Sequence, residues 1–311
     1  MIKRILSKAK PYFRWFILGG TLFFLLKTFK DRFAEIAHLK IDSQGWFLLA
    51  IALACTLFAH VWSAWVWTKI LAIFQQSFSL VQGIKVYLTT NIAKYLPGNV
   101  WHFYGRISAI KDRGGSTATA TLCVVLEPLL MAAAALLIAI SSTILGFVET
   151  NLSLPAIFGQ IMALVIVLIG IHPRILNPVL FRLSKSKSKE KIAPVQLKTY
   201  PLLPFLGEMG FVLFRGTGFL VTVMALQTVT LWDIPNLLSA FSIAWLLGLV
   251  VPGAPGGIGV FEATAIALLN QNAFSPGVVL LAVGLYRVIS ILAETGAAAI
   301  AWMVKPASQL N

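Results

Sequence analysis

Residues 236–269 read NLLSAFSIAWLLGLVVPGAPGGIGVFEATAIALL. The composition predicts a helix from Asn236 to Val251, a break at Pro252, Gly253, Ala254, Pro255, Gly256 and Gly257, and a helix that restarts near Ile258. Proline removes a backbone donor and glycine tolerates left-handed angles, so the helix ends here rather than bends. Residues 80–114, LVQGIKVYLTTNIAKYLPGNVWHFYGRISAIKDRG, repeat the pattern. A helix from Val81 to Leu96 runs into Pro97 and Gly98, and a second short helix follows with Arg106, Lys111 and Arg113. Pro97 and Pro252 stand 155 positions apart, as do Gly98 and Gly253 (252 − 97 and 253 − 98).

What surrounds the breaks is bilayer-like. Of 311 residues 58% are apolar and 12% charged, and the mean hydropathy is +0.85, whereas about a quarter of the residues of a soluble domain are charged. Apolar runs at 12–29, 46–67, 121–147, 154–172, 202–229 and 275–304 each reach the roughly 17–25 residues that cross the hydrocarbon. The net charge of +14 is not arranged as a nucleic-acid patch with interleaved aromatics. Its cations cluster as cytoplasmic flanks do: Lys3, Arg4, Lys8, Lys10 and Arg14 before the first span, and Arg174, Arg182, Lys185, Lys187, Lys189, Lys191 and Lys198 in one long loop. No small-residue cleavage site follows the first run, which reads as an uncleaved signal anchor. Cys55 and Cys123 lie inside apolar runs as packing residues, and no metal-ligand spacing or cofactor motif is present.

Charge also sets the topology. Were both broken segments ordinary kinked spans, a cytoplasmic amino terminus would put the loop at 174–200 outside, against the positive-inside rule. Two re-entrant hairpins bring it inside, leaving Lys30, Arg32 and Lys40 as one external misfit. The fold expected is an all-α polytopic membrane protein, one transmembrane domain over 1–311, with six full spans and two broken re-entrant hairpins. Three crossings per half invert the second half relative to the first, as repeats at 12–147 and 154–304.

A helix that begins inside the membrane aims free N–H groups and the positive end of its dipole forward, a setting for anions. Asn99 is the expected N-cap after the first break, and Gly256, Gly257 and Gly259 leave amides approachable at the second. Ionisable residues within the spans face a cavity or one another. They are Glu127, Glu208, Arg215, Glu262, Arg287 and Glu294, with His102 and Arg106 beside the first break. Arg106, Arg215 and Arg287 suit an anionic headgroup, and Glu127, Glu208 and Glu294 suit proton or ion coupling. Structural charge pairs between helices are the alternative.

The segments 91–106, NIAKYLPGNVWHFYGR, and 251–263, VPGAPGGIGVFEA, resemble the lysylphosphatidylglycerol synthase transmembrane family. Its common Pro-x-x-Gly-Glu form is replaced at the first break by Pro97, Gly98, Asn99 and Val100. The resemblance implies lipid translocation by a stand-alone relative without the soluble aminoacyl-transferase domain. The expected function is a flippase for an anionic phospholipid or a polyprenyl- or sugar-linked lipid headgroup. The alternative is a membrane-embedded enzyme acting on a prenyl phosphate or phospholipid, and the third class an accessory subunit or channel. A membrane lipid as substrate, no nucleic acid, a lipid-synthesising enzyme as partner, and a bacterial inner membrane with both termini cytoplasmic complete the expectations.

Overall fold

The computed structural model describes residue 30 and residues 41–96, 99–144, 154–178, 196–251, 254–269 and 274–304. The first apolar run, both Pro-Gly dipeptides (Pro97 and Gly98, Pro252 and Gly253) and most of the basic loop lie outside them. Nine helices among the described residues carry the architecture. They are α1 (Ser43–Ile73), α2 (Leu80–Asn91), α3 (Trp101–Lys111), α4 (Thr117–Ile144), α5 (Leu154–Ile171), α6 (Leu202–Met224), α7 (Asp233–Val250), α8 (Val260–Leu269) and α9 (Pro276–Met303). Short 3-10 turns, Ile92–Tyr95 and Pro255–Gly257, close the two broken segments.

Local signals start the helices. Asp42 accepts from the Gly45 amide at 2.7 Å to begin α1. Ser79 and Gln82 form a reciprocal capping box at α2, and Ser275 caps α9 with Pro276 in its first turn. Along α1 the buried positions Leu49, Ala52, Thr56, Ala59, Ser63, Trp67 and Ile70 recur every three or four residues, the stripe of a packed helix. That stripe meets α6 closely because α6 presents glycines: a Cβ at Gly207 would lie 2.6 Å from Val66 Cγ2, and one at Gly210 3.0 Å from Trp62 Nε1. Trp62 Nε1 donates to the Gly207 carbonyl at 2.8 Å, fixing the register of the pair.

The molecule is apolar outside and polar within. Phe47, Phe158, Leu206, Leu292 and Trp302 are exposed, whereas Glu127, Glu208, Glu262 and Glu294 are each no more than 6% exposed. Only a hydrocarbon solvent favours that inversion, and the chain is an integral membrane protein. Among the described residues five helices are long and apolar enough to cross: α1, α4, α6, α7 and α9. This count departs from the six spans expected. The run at 12–29 is not described, α5 carries a shorter apolar stretch at Ile157–Ile171, and α7, read from sequence as a hairpin arm, has eighteen residues and reaches about 27 Å.

Helix pairing is regular when α1–α4 are set against α6–α9. Exchanging the two groups turns α1–α9 into α6–α4, α2–α9 into α7–α4, α1–α2 into α6–α7, α2–α3 into α7–α8, α3–α4 into α8–α9, and α1–α4 into α6–α9; every one of these pairs is in contact. The α1–α6 pair and the contact between the two 3-10 turns map onto themselves.

Candidate functional site

The two breaks meet. Tyr95, the last residue of the first 3-10 turn, lies against Gly256 of the second, so that a Cβ at Gly256 would sit 2.6 Å from Tyr95 Cε1. Around this junction opens a cavity of about 600 Å³, a volume within the range of small-molecule sites. Polar groups from α1, α2, α3, α4, α6 and α9 line it together with apolar side chains of α4, α5 and α7, among them Leu129, Val167, Trp245 and Leu249.

The centre of the polar wall is Glu294. Its Oε1 accepts from Lys94 Nζ at 2.7 Å and lies 3.1 Å from His60 Nε2 and 3.4 Å from Arg215 Nη1. Oε2 of the same carboxylate is buried and has no partner. Arg215 is held in four directions: Nε donates to Tyr286 Oη at 3.0 Å, Nη2 to Ser290 Oγ at 3.1 Å, and Nη1 faces both Glu294 and His60. Tyr286 returns its hydroxyl to the Arg215 carbonyl at 3.0 Å. Phe219 meets Tyr286 and Phe261 edge to face, Phe261 meets Phe241 the same way, and Phe219 stacks on Phe241.

Each break carries one arginine–glutamate pair, with the signs of its two helices reversed. On the first, Arg106 of α3 meets Glu127 of α4 at 2.5 Å and stacks over Tyr87, 3.7 Å from the ring centre. On the second, Glu262 of α8 meets Arg287 of α9 at 2.5 Å. Arg287 also donates to the carbonyls of Gly256 and Gly257, at 3.0 and 3.4 Å, and so clamps the turn. Glu208 stands apart: it is wholly buried and neither oxygen has a hydrogen-bond partner.

The structure corrects the expected site at Asn99 and at the glycine amides. Asn99 does not cap α3: the N-cap position is Val100 with no side-chain bond, because Asn99 adopts φ +51° instead of the extended backbone a cap needs. The second helix restarts at Val260, and the Gly259 amide is taken by its own Glu262 Oε2. The Gly257 amide is likewise used, by the Ala254 carbonyl at 3.0 Å, so the turn satisfies its own donors as buried backbone must. Gly256, Gly257 and Gly259 all have positive φ. His102 is buried on the cavity wall with Nδ1 unpartnered.

Lys94, His60, Tyr87, Tyr286 and Ser290 were missed by sequence reasoning. His60 is 155 positions from Arg215, the displacement that also separates Pro97 from Pro252. No curated protein matches the chain. A family model described as the lysylphosphatidylglycerol synthase TM region matches residues 13–297, and by that match, over most of its 311 residues, the chain belongs to this family.

Proposed function

We propose that the chain is a lipid flippase that passes an anionic phospholipid, or a polyprenyl- or sugar-linked lipid headgroup, across the bilayer through the cavity at the two breaks. One observation carries this reading: four basic side chains, Lys94, Arg106, Arg215 and Arg287, line the cavity, and three carboxylates pair with them, Glu127, Glu262 and Glu294. A buried site with one more basic group than carboxylates favours an anion, and Lys94 and Arg215 already share one carboxylate. The headgroup takes over part of that pairing while its acyl chains rest against the apolar wall of α4, α5 and α7. A polar midplane site between broken helices is the arrangement of transporters built from inverted repeats.

In this reading the chain has six spans and two re-entrant hairpins entering from opposite sides, as repeats at 12–147 and 154–304. The regular exchange of helix pairs supports it. Both termini and the loop at 174–200 face the cytoplasm of a bacterial inner membrane, where a lipid-synthesising enzyme supplies the substrate. Mass spectrometry of lipid co-purifying with the protein tests the substrate class. An anionic lipid enriched over its share of the membrane is expected; enrichment of none, or of a cationic or neutral lipid, contradicts the reading.

A further inference from the structure

The anion site leaves one group without a task. Glu208 is 0% exposed, and both of its oxygens lack a hydrogen-bond partner. An ionised carboxylate so placed is among the costliest arrangements a protein interior can hold, because it has neither an ion pair nor a hydrogen bond of good geometry to offset its lost hydration. Its neighbours form a chain. Glu208 faces Ser63 of α1; Ser63 Oγ is 2.7 Å from Tyr87 Oη, a bond in which either hydroxyl can donate. Tyr87 donates to Glu127 Oε1 at 2.5 Å, and Glu127 Oε2 accepts from Arg106 Nη1, also at 2.5 Å. Glu127, Tyr87 and Arg106 reach the cavity wall, whereas Glu208 and Ser63 lie behind it. The charged and titratable groups facing Glu208 are therefore Tyr87 of α2, Arg106 of α3 and Glu127 of α4, with the Ser63 hydroxyl of α1 between. The His60, Arg215 and Glu294 cluster sits two turns further along α6.

We propose that Glu208, Ser63, Tyr87 and Glu127 form a proton relay that loads one proton into the cavity for each anionic headgroup that engages Arg106. The proposal rests on the flippase reading and gives it a driving force. With the cavity empty, Glu208 holds the proton and Glu127 is ionised against Arg106. When a headgroup takes Arg106, Glu127 loses its cation. Glu208 then closes on Ser63 to hydrogen-bond distance and passes its proton to Oγ, Ser63 passes its own to Tyr87 Oη, and Tyr87 passes its own to Glu127 Oε1. Both hydroxyls are restored, Glu127 becomes the acid, and Glu208 becomes the carboxylate. Glu208 lies six residues, about 9 Å, from the start of α6, and it is reprotonated from water at that end of the helix. Departure of the headgroup returns Arg106 to Glu127 and releases the proton into the cavity. One proton thus crosses with one anionic headgroup.

The test uses the full chain in vesicles of phosphatidylcholine and phosphatidylglycerol, with a fluorescent phosphatidylglycerol as probe and a clamped pH gradient. One proton per headgroup predicts that a gradient of one pH unit shifts the leaflet ratio of the probe about tenfold. Glu208→Gln and Tyr87→Phe should bring that ratio to about one, Phe keeping the ring that stacks on Arg106. Probe movement that ignores the gradient in the wild type, or a gradient response retained by Glu208→Gln, overturns the relay while leaving the flippase reading intact. A response that follows a sodium gradient instead overturns it in favour of a metal cation. Wild-type protein that moves no probe counts against the flippase reading for this lipid, and the relay is then decided by infrared difference spectra of the empty protein. A carboxylic-acid band at neutral pH that vanishes in Glu208→Gln supports the proton site; no such band overturns it.

Discussion

His60 Nε2 lies 3.3 Å from Arg215 Nη1, and the two residues stand 155 positions apart, the displacement that also separates the two Pro-Gly breaks. In the proposed inverted repeat these two residues would be exchanged by the two-fold axis, and residues so exchanged touch only where the axis passes. That contact sits beside Glu294, on the wall of the cavity and next to the junction of the two 3-10 turns. The charges gather beside the contacts of α1 with α6 and of one 3-10 turn with the other.

Glu294 serves Lys94, Arg215 and His60 together, so replacing it leaves buried cations without a counter-charge. Glu294→Gln should lower stability by about 3–5 kcal/mol, the cost of breaking a buried pair from one side. Adding Lys94→Met should recover part of that loss by removing one stranded charge. Thermal unfolding in detergent measures both. A Glu294→Gln protein as stable as the wild type would mean that water reaches this cluster.

Gly256 is tested by comparison with Gly114. Both have positive φ, +57° and +84°, where a side chain costs about 1–2 kcal/mol in backbone strain. A Cβ at Gly256 also meets the Tyr95 ring at 2.6 Å, whereas one at Gly114 meets nothing within 4 Å. Gly256→Ala should therefore destabilise more than Gly114→Ala in the same unfolding assay, and Tyr95→Ala should relieve the difference. Equal losses at the two sites would remove the contact between the breaks from the account.

Much of this was legible in the chain because its signals are local. Proline and glycine announce both breaks, and long apolar runs announce α1, α4, α6 and α9. Glutamates inside such runs announce a polar interior. Pairing was not legible, because it depends on how helices rotate against each other. Glu208 and Arg215 share a face of α6, yet Arg215 turns to Glu294 on α9 and Glu208 is left with Ser63 and Tyr87. Lys94 reaches Glu294 across 200 positions, a partnership that no spacing rule suggests. Backbone satisfaction was equally hidden. Glycine-rich turns suggest free amides, but the Gly259 amide goes to Glu262 and the Gly256 and Gly257 carbonyls go to Arg287.

Arg287 bridges one carboxylate and two carbonyls with three different nitrogens. Lysine keeps the charge but not the planar fork, so Arg287→Lys should behave like Arg287→Gln. Each lost charged hydrogen bond is worth about 1.5–3 kcal/mol, and unfolding together with lipid movement should register both variants alike. A Lys variant close to the wild type would reduce Arg287 to a point charge.

The topology is open to a labelling experiment. After replacement of Cys55 and Cys123, a single cysteine in place of Lys187 should react with an impermeant maleimide only when the cytoplasmic side is exposed. Reaction from the outside would reverse the orientation of the basic loop and with it the inverted repeat.

Lipid movement itself tests the central claim most directly. Purified protein in phosphatidylcholine and phosphatidylglycerol vesicles should carry fluorescent phosphatidylglycerol from the inner leaflet to the outer, where dithionite quenches it. Arg215→Gln and Gly256→Leu should slow that movement far more than they reduce the yield of folded protein, since one removes the anion's partner and the other fills the junction beside Tyr95. Movement at the wild-type rate in both variants, from protein equally well folded, would show that no headgroup passes between the two breaks.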